Sequence, residues 1–174
     1  MIARSMTRKH PGKIVAERFA IERIAGSGGM GVVYEAHDQQ TGRAVALKVL
    51  LERDQGPSER FAHEIQLLST LDHPHIVGYV SHGTTDEGAP YLVMPWLQGM
   101  DLQERLRAGP LSIAETLVLA RDVASALACL HGRGLVHRDL KPSNLFLPDG
   151  EVENVKVIDL GVARASVASQ ALTL

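Results

Sequence analysis

The five residues Pro95-Trp96-Leu97-Gln98-Gly99 divide this chain into stretches with different apolar periods, and that change limits the folds open to it. Before them the apolar residues come in short, alternating runs. Residues 19–24, 32–36 and 44–50 read as strands, with turns at 26–31 and at Thr41-Gly42. Residues 76–82 and 91–94 read as further strands around a polar loop. One helix interrupts them at 58–71, with Phe61, Ile65 and Leu68 on one face and Ser58 as N-cap after Gly56-Pro57. Beyond the connector the period lengthens. In the helix predicted at 112–131, Ile113, Leu117, Ala120, Ala124, Leu127 and Leu130 recur at steps of three and four, and Gly132 with Gly134 ends it. Short extended pieces follow at 145–147 and 155–158. A strand-rich half followed by a helical half predicts an α+β, bilobal architecture. The expected boundaries are a tail at 1–18, a first lobe at 19–97 and a second at 98–174.

Composition narrows the function classes. A net charge of −2 over 174 residues gives no global field for nucleic acid or an anionic membrane, so neither is expected as a partner. The basic run Arg4, Arg8, Lys9, Lys13 and Arg18, opposed by Glu17, reads as a solvated tail, because no apolar face accompanies it. No apolar core of a secretory signal follows, and no run approaches the ~18 apolar residues of a membrane span. The single cysteine, Cys129, cannot form an internal disulfide, which fits a cytoplasmic chain. It lies in an apolar helical stretch and reads as a buried thiol. His73 and His75 flank Pro74 without zinc-type spacing to a cysteine and read as structural.

The chemistry is concentrated in His137-Arg138-Asp139-Leu140-Lys141-Pro142-Ser143-Asn144. An acid, a lysine and an asparagine fall within six positions: a carboxylate to orient an attacking hydroxyl, a cation for a moving phosphate, an amide oxygen for a metal. Fifteen residues further on, Asp159-Leu160-Gly161 offers a second metal-type carboxylate. Upstream, Gly26-Ser27-Gly28-Gly29-Met30-Gly31 is followed by Val32-Val33-Tyr34, so a strand follows the glycines where a dinucleotide-binding fold would place a helix. Lys48 ends the apolar strand Val45-Ala46-Leu47-Lys48 and needs an anionic partner if it points inward. Glu64 is the candidate, with Glu59 and Glu52 as rivals.

These motifs, in this order, resemble the protein kinase family, in the bacterial Hanks-type Ser/Thr branch. The resemblance runs from about Phe19 to Ala163 and implies an antiparallel N-lobe with one helix and a helical C-lobe. It implies ATP and Mg2+ as cofactors and protein Ser/Thr hydroxyls as substrate. Gly26, Ser27, Gly28, Gly29, Met30 and Gly31 would close over the nucleotide phosphates. Lys48 would hold the α- and β-phosphates, and Glu64 would hold Lys48. Met94 would be the gatekeeper. The Pro95 carbonyl and the Leu97 N–H would meet adenine, with Val33, Ala46 and Phe146 around the ring and Asp101 on the ribose. The family usually has an acid where Pro95 stands, a tolerable change because proline keeps its carbonyl. Asp139 would accept the substrate proton, Lys141 would neutralise the transferring phosphoryl group, and Asn144 with Asp159 would carry magnesium. Leu160 replaces the usual phenylalanine and keeps an apolar plug behind the metal site. His137 reads as a residue bonding backbone.

By the same resemblance, a family member would continue well past Leu174, so the chain reads as an N-terminal fragment. Two functions follow: a Ser/Thr protein kinase, or a truncated nucleotide- or partner-binding module without turnover. A partly uncovered apolar face on the 112–131 helix is expected, with self-association through it. Arg138 would pair with a phosphorylated residue among Ser166, Ser169 and Thr173.

Overall fold

The computed structural model describes residues 11–28, 31–50 and 65–159. The chain gathers into two compact units, one drawn from Met1–Gly56 and His82–Trp96, the other from Pro57–Ser81 and Leu97–Leu174. The second unit therefore takes residues that the predicted boundaries had placed with the strand-rich half.

The first unit is built on strands β1 (Ile14–Val15), β2 (Phe19–Gly28), β3 (Gly31–Asp38), β4 (Arg43–Leu50), β5 (Ser81–Thr84) and β6 (Pro90–Pro95), in the sheet order β1-β2-β3-β4-β6-β5. The β1–β2 connection corrects the expected tail. Ala16 and Glu17 both take φ of 52°, and the Arg18 N–H reaches the Val15 carbonyl at 3.2 Å. Two successive left-handed residues make a tight hairpin whose twist matches the strands, a role usually filled by Asn-Gly. Arg18 is not solvated either. Its guanidinium donates two 2.7 Å bonds to the buried carboxylate of Asp38 and lies 4.8 Å from the Phe19 ring centroid.

Strand register separates the sheet's faces, because directly paired residues project to the same side. Tyr34, Leu47 and Val93 form one cross-strand row, and all three are almost fully buried. With Val15, Phe19, Ile21, Ala36, Val45 and Tyr91 they make the first core, in which Phe19 and Tyr91 meet edge-on at 6.2 Å. Gly31 is required where it stands. With φ of 151°, an added Cβ would fall 2.3 Å from the Val49 carbonyl oxygen.

The strand predicted at 76–82 does not form, and β5 begins only at Ser81. Ile76 instead makes a single parallel bridge to Val157, extended by Val77 N–H to the Val157 carbonyl at 3.0 Å. The β-branched run was legible as pairing-competent, but its partner is Val157, far along the chain within the same second unit.

The second unit carries strands β7 (Gly99–Asp101), β8 (Leu145–Pro148) and β9 (Lys156–Val157) as a three-stranded sheet in chain order. Residues 65–69 are helical with Ile65 and Leu68 buried, while Phe61 and the Ser58 cap lie outside the described residues. Two helices follow, α1 (Leu102–Arg107) and α2 (Ile113–His131). α2 begins with a reciprocal capping box: Ser112 accepts from the Glu115 N–H, and the Glu115 carboxylate accepts from Ser112 N–H at 2.7 Å. Those bonds hold the Glu115 carboxyl below its ordinary range.

The buried face of α2 differs from the predicted one. Leu119, Asp122, Val123, Ala126 and Leu130 are buried, whereas Ile113 and Leu117 are 81% and 66% exposed. Two apolar stripes overlap in this sequence, and the one chosen contains a carboxylate. Asp122 is satisfied by two bonds from Arg121, and His75 Nε2 stands 3.7 Å away. The Arg121 bonds hold Asp122 below the usual carboxylate range. The loop before Ile76 is clipped to the helix and to the residue preceding β9 through its histidines: His73 bonds Ser125 at 3.1 Å, and His75 Nδ1 meets the Val155 carbonyl at 3.1 Å. Both histidines are structural, as expected. Cys129 is half-buried and takes a 2.9 Å bond from Arg133.

Candidate functional site

In the first unit, the sheet face opposite the core carries the residues expected around a nucleotide. Gly26, Val33, Lys48 and Leu92 form one cross-strand row, and Glu35, Ala46 and Met94 form the next on the same face. Val33, Ala46 and Met94 are half-buried, and the Lys48 side chain is buried between them in register. Gly26, Ser27 and Gly28 are exposed at the end of β2, while Gly29, Met30 and the expected Lys48 partner Glu64 lie outside the described residues.

The second unit builds its site on a bent loop. Arg138 has φ of 60°, and the Asp139 N–H closes a three-residue turn onto the His137 carbonyl at 2.8 Å. A left-handed arginine at the centre of such a turn is strained, and the strain is held by what surrounds it. His137 is the main brace. Its Nε2–H donates to the Ile158 carbonyl at 3.0 Å, which fixes Nδ1 as the acceptor for the Asp139 N–H at 3.3 Å. Burial pushes the His137 pKa below its ordinary value, so the ring is neutral and serves as a two-sided hydrogen-bond spacer.

Asp139 is thereby presented with its carboxylate between two donors. Lys141 Nζ lies 2.8 Å from Oδ2, and the buried Asn144 amide nitrogen lies 2.8 Å from the Asp139 carbonyl and 3.2 Å from Oδ2. Asn144 is set by a single 3₁₀ turn, Pro142–Asn144. Directing its nitrogen to Asp139 keeps its amide oxygen, the atom a hard cation prefers, out of those bonds.

Ile158 joins this loop to Asp159. Its carbonyl accepts from His137 and its N–H donates to the Asn144 carbonyl at 3.0 Å, so Asp159 is one residue from two bonds to the loop. Asp159 itself is left-handed, with φ of 58°, a second strained non-glycine position beside the first. The donor set of an amide oxygen and a carboxylate fits magnesium, which takes few protein ligands and completes its shell with water and phosphate. Nothing in the sequence pointed to Ile158, because its contribution is entirely backbone.

Two other expected residues have additional structural duties. Asp101 caps α1, its Oδ1 accepting from Glu104 N–H at 2.7 Å. Phe146 sits in β8, paired with Asp101 on one side and Lys156 on the other. The expected phosphosites Ser166, Ser169 and Thr173, with Leu160 and Gly161, lie outside the described residues.

The protein kinase domain matches residues 19–173, and the chain belongs to the protein kinase family. It is 40% identical over 151 residues to the serine/threonine-protein kinase pkn2 of Myxococcus xanthus, covering 84% of this chain and 18% of that protein. It is 40% identical over 158 residues to the serine/threonine-protein kinase PrkC of Bacillus subtilis, covering 88% of this chain and 24% of that one. The chain thus spans about a fifth to a quarter of the length of these two relatives. Among solved structures, the Mycobacterium tuberculosis PknI kinase domain matches with a TM-score of 0.74 at 31% identity, over 88% of this chain and 63% of that one. Rad53 1-466, solved in complex with AMP-PNP, matches with a TM-score of 0.76 at 28% identity, over 86% of this chain and 40% of that one.

Proposed function

We propose that this chain transfers the γ-phosphate of ATP to serine or threonine hydroxyls of protein substrates in the cytoplasm. The observation that carries this reading is the second-unit loop. Asp139 is aimed by a strained turn, braced by a neutral histidine, and flanked by Lys141 and Asn144, all tied to Asp159 through Ile158. Asp139 takes the proton of the attacking hydroxyl and orients it. Lys141 offsets negative charge on the phosphoryl group in transit. Lys48 holds the α- and β-phosphates, with Glu64 as its anionic partner. Gly26–Gly31 backbone N–H groups cover the phosphates. Adenine rests against Val33, Ala46, Met94 and Phe146, bonded through the Pro95 carbonyl and the Leu97 N–H, with Asp101 on the ribose. Asn144 and Asp159 would hold magnesium, which when bound neutralises phosphate charge.

Calorimetric titration with ATP, with and without Mg2+, tests the binding half. Lys48→Ala and Asp159→Ala should each weaken ATP about tenfold or more, as expected for lost charge-assisted contacts. Curves for the two variants that overlay the wild type would refute the assignment.

A further inference from the structure

We propose that Arg23 is a positioning residue for nucleotide recognition, acting by clamping Trp96 between the two hinge residues Pro95 and Leu97. The inference rests on the nucleotide reading above and adds a residue and a mechanism to it.

The hinge has a weakness written into its sequence. β4 and β6 run antiparallel to the Val45–Pro95 pair, where proline supplies no N–H to the ladder. One residue further, Trp96 N–H reaches the Ala44 carbonyl at 3.3 Å, the long end of the hydrogen-bond range. The segment that must present a carbonyl and an N–H to adenine therefore leaves the sheet on a thin backbone attachment.

A side-chain contact compensates. The Arg23 guanidinium lies 5.5 Å from the centroid of the Trp96 ring, within reach of a cation–π interaction. Arg23 is in turn paired with Glu35 Oε2 at 2.5 Å, its direct cross-strand neighbour. One feature of β2 creates this pairing. The register skips between Ile21 and Arg23, so Glu22 is bulged out and Arg23, not Glu22, stands opposite Glu35. Without the bulge two carboxylates would face each other. Glu35 shares its row with Ala46 and Met94, which places the pair beside the residues expected to line the adenine. Glu35 is largely buried while the Arg23 side chain is 61% exposed, so the carboxylate anchors and the guanidinium reaches.

Trp96 is the chain's single tryptophan, so its fluorescence reports this contact directly. The test uses the full chain in wild-type form and as Arg23→Ala, Arg23→Lys, Glu35→Gln and Lys48→Ala. Acrylamide quenching of Trp96 is measured, and calorimetry gives affinities for ATP and for adenosine. Arg23→Ala should expose Trp96 to quencher and weaken both ligands about two- to fivefold, the range of an exposed cation–π contact. Arg23→Lys should recover most of both, and Glu35→Gln should give a smaller change in the same direction. Lys48→Ala should weaken ATP alone and leave the quenching unchanged. Wild-type affinity for both ligands in Arg23→Ala, or unchanged quenching, overturns the clamp while leaving the nucleotide reading in place. A wild-type chain that binds neither ATP nor adenosine overturns both.

Discussion

Asp38 in the first unit and Asp139 in the second each face a cation at hydrogen-bond distance, but their surroundings are opposite. Asp38 is 0% exposed and accepts from Arg18 Nε and Nη2, from Thr41 Oγ1 at 2.7 Å and from Gln40 N–H at 3.1 Å. Its backbone is ordinary strand. The Arg18 bonds hold its carboxyl far below the usual carboxylate range, against a burial effect of the other sign. Asp139 keeps 12% of its side chain exposed, faces a half-exposed lysine, and follows a strained arginine. The first carboxylate is saturated by fixed donors and locks the β3–β4 turn to the β1–β2 hairpin. The second retains access to solvent and is held in position by strain that the His137 brace sustains. One arrangement suits stability and the other, under the proposed function, reactivity, and they should separate when each is broken.

The largest effect expected is at Asp139. Asp139→Asn keeps the size of the side chain and removes the proton acceptor. Phosphate transfer to a Ser/Thr peptide should fall about 10²–10⁴-fold, the usual contribution of a general base. Stability should change by under about 1 kcal/mol, because an asparagine oxygen can still accept from Lys141 or Asn144 and the Lys141 end of the pair is half-exposed. A denaturant melt and a transfer assay on the same preparation measure both. Loss of fold together with activity would erase the contrast with Asp38.

Asp38→Ala should do the reverse. It leaves Arg18, Thr41 and the Gln40 N–H without their acceptor inside the sheet. Breaking a buried, multiply bonded pair from one side costs about 3–5 kcal/mol. The denaturation midpoint should drop accordingly, while nucleotide affinity per folded molecule stays near wild type. A midpoint within error of the wild type would mean that Arg18 and its neighbours find water instead.

How much of this was legible beforehand depended on whether the signal was local. Strands β2, β3, β4 and β6 and the long helix followed from period and turn residues, and the candidate loop followed from Asp139, Lys141 and Asn144 at short spacing. The features that failed to show are non-local or carried by backbone. Ala16-Glu17 turns the chain without any turn residue, so β1 was invisible and Arg18 was read as tail. The apolar stripe through Ile113 and Leu117 was as regular as the one through Leu119, Val123, Ala126 and Leu130. The bond from His73 to Ser125 and the approach of His75 to Asp122 mark the side that faces inward. The bond from Ile158 to Asn144 and the bulge at Glu22 leave no trace in residue type.

The smallest effect, and the sharpest test of the comparison, is in pH. Asp38 has a depressed folded pKa, so its stabilisation is complete above the unfolded carboxylate value of about 4 and is lost as pH falls below it. His137 is also depressed, but for a base, and the sign works through proton uptake. Below the unfolded histidine value of about 6.5 the unfolded chain binds a proton that the folded chain, with a buried ring spanning Ile158 and Asp139, resists. Stability should therefore fall in two separable steps, a shallow one starting near pH 6.5 and a steep one starting near pH 4. His73 is lowered by burial as well and adds to the shallow step. In His137→Gln the shallow slope should flatten in part, and His73→Gln should remove a further part. Neither substitution should move the steep step, which belongs to the carboxylates held below their ordinary range, Asp38 first, with Asp122 and Glu115. Denaturation midpoints measured from pH 7.5 to 3 on wild type and both variants give the slopes directly. A shallow limb unaltered in His137→Gln would mean that the ring carries a proton in the folded protein. The two-sided spacer would then be impossible, since a charged imidazole has no lone pair left to accept the Asp139 N–H.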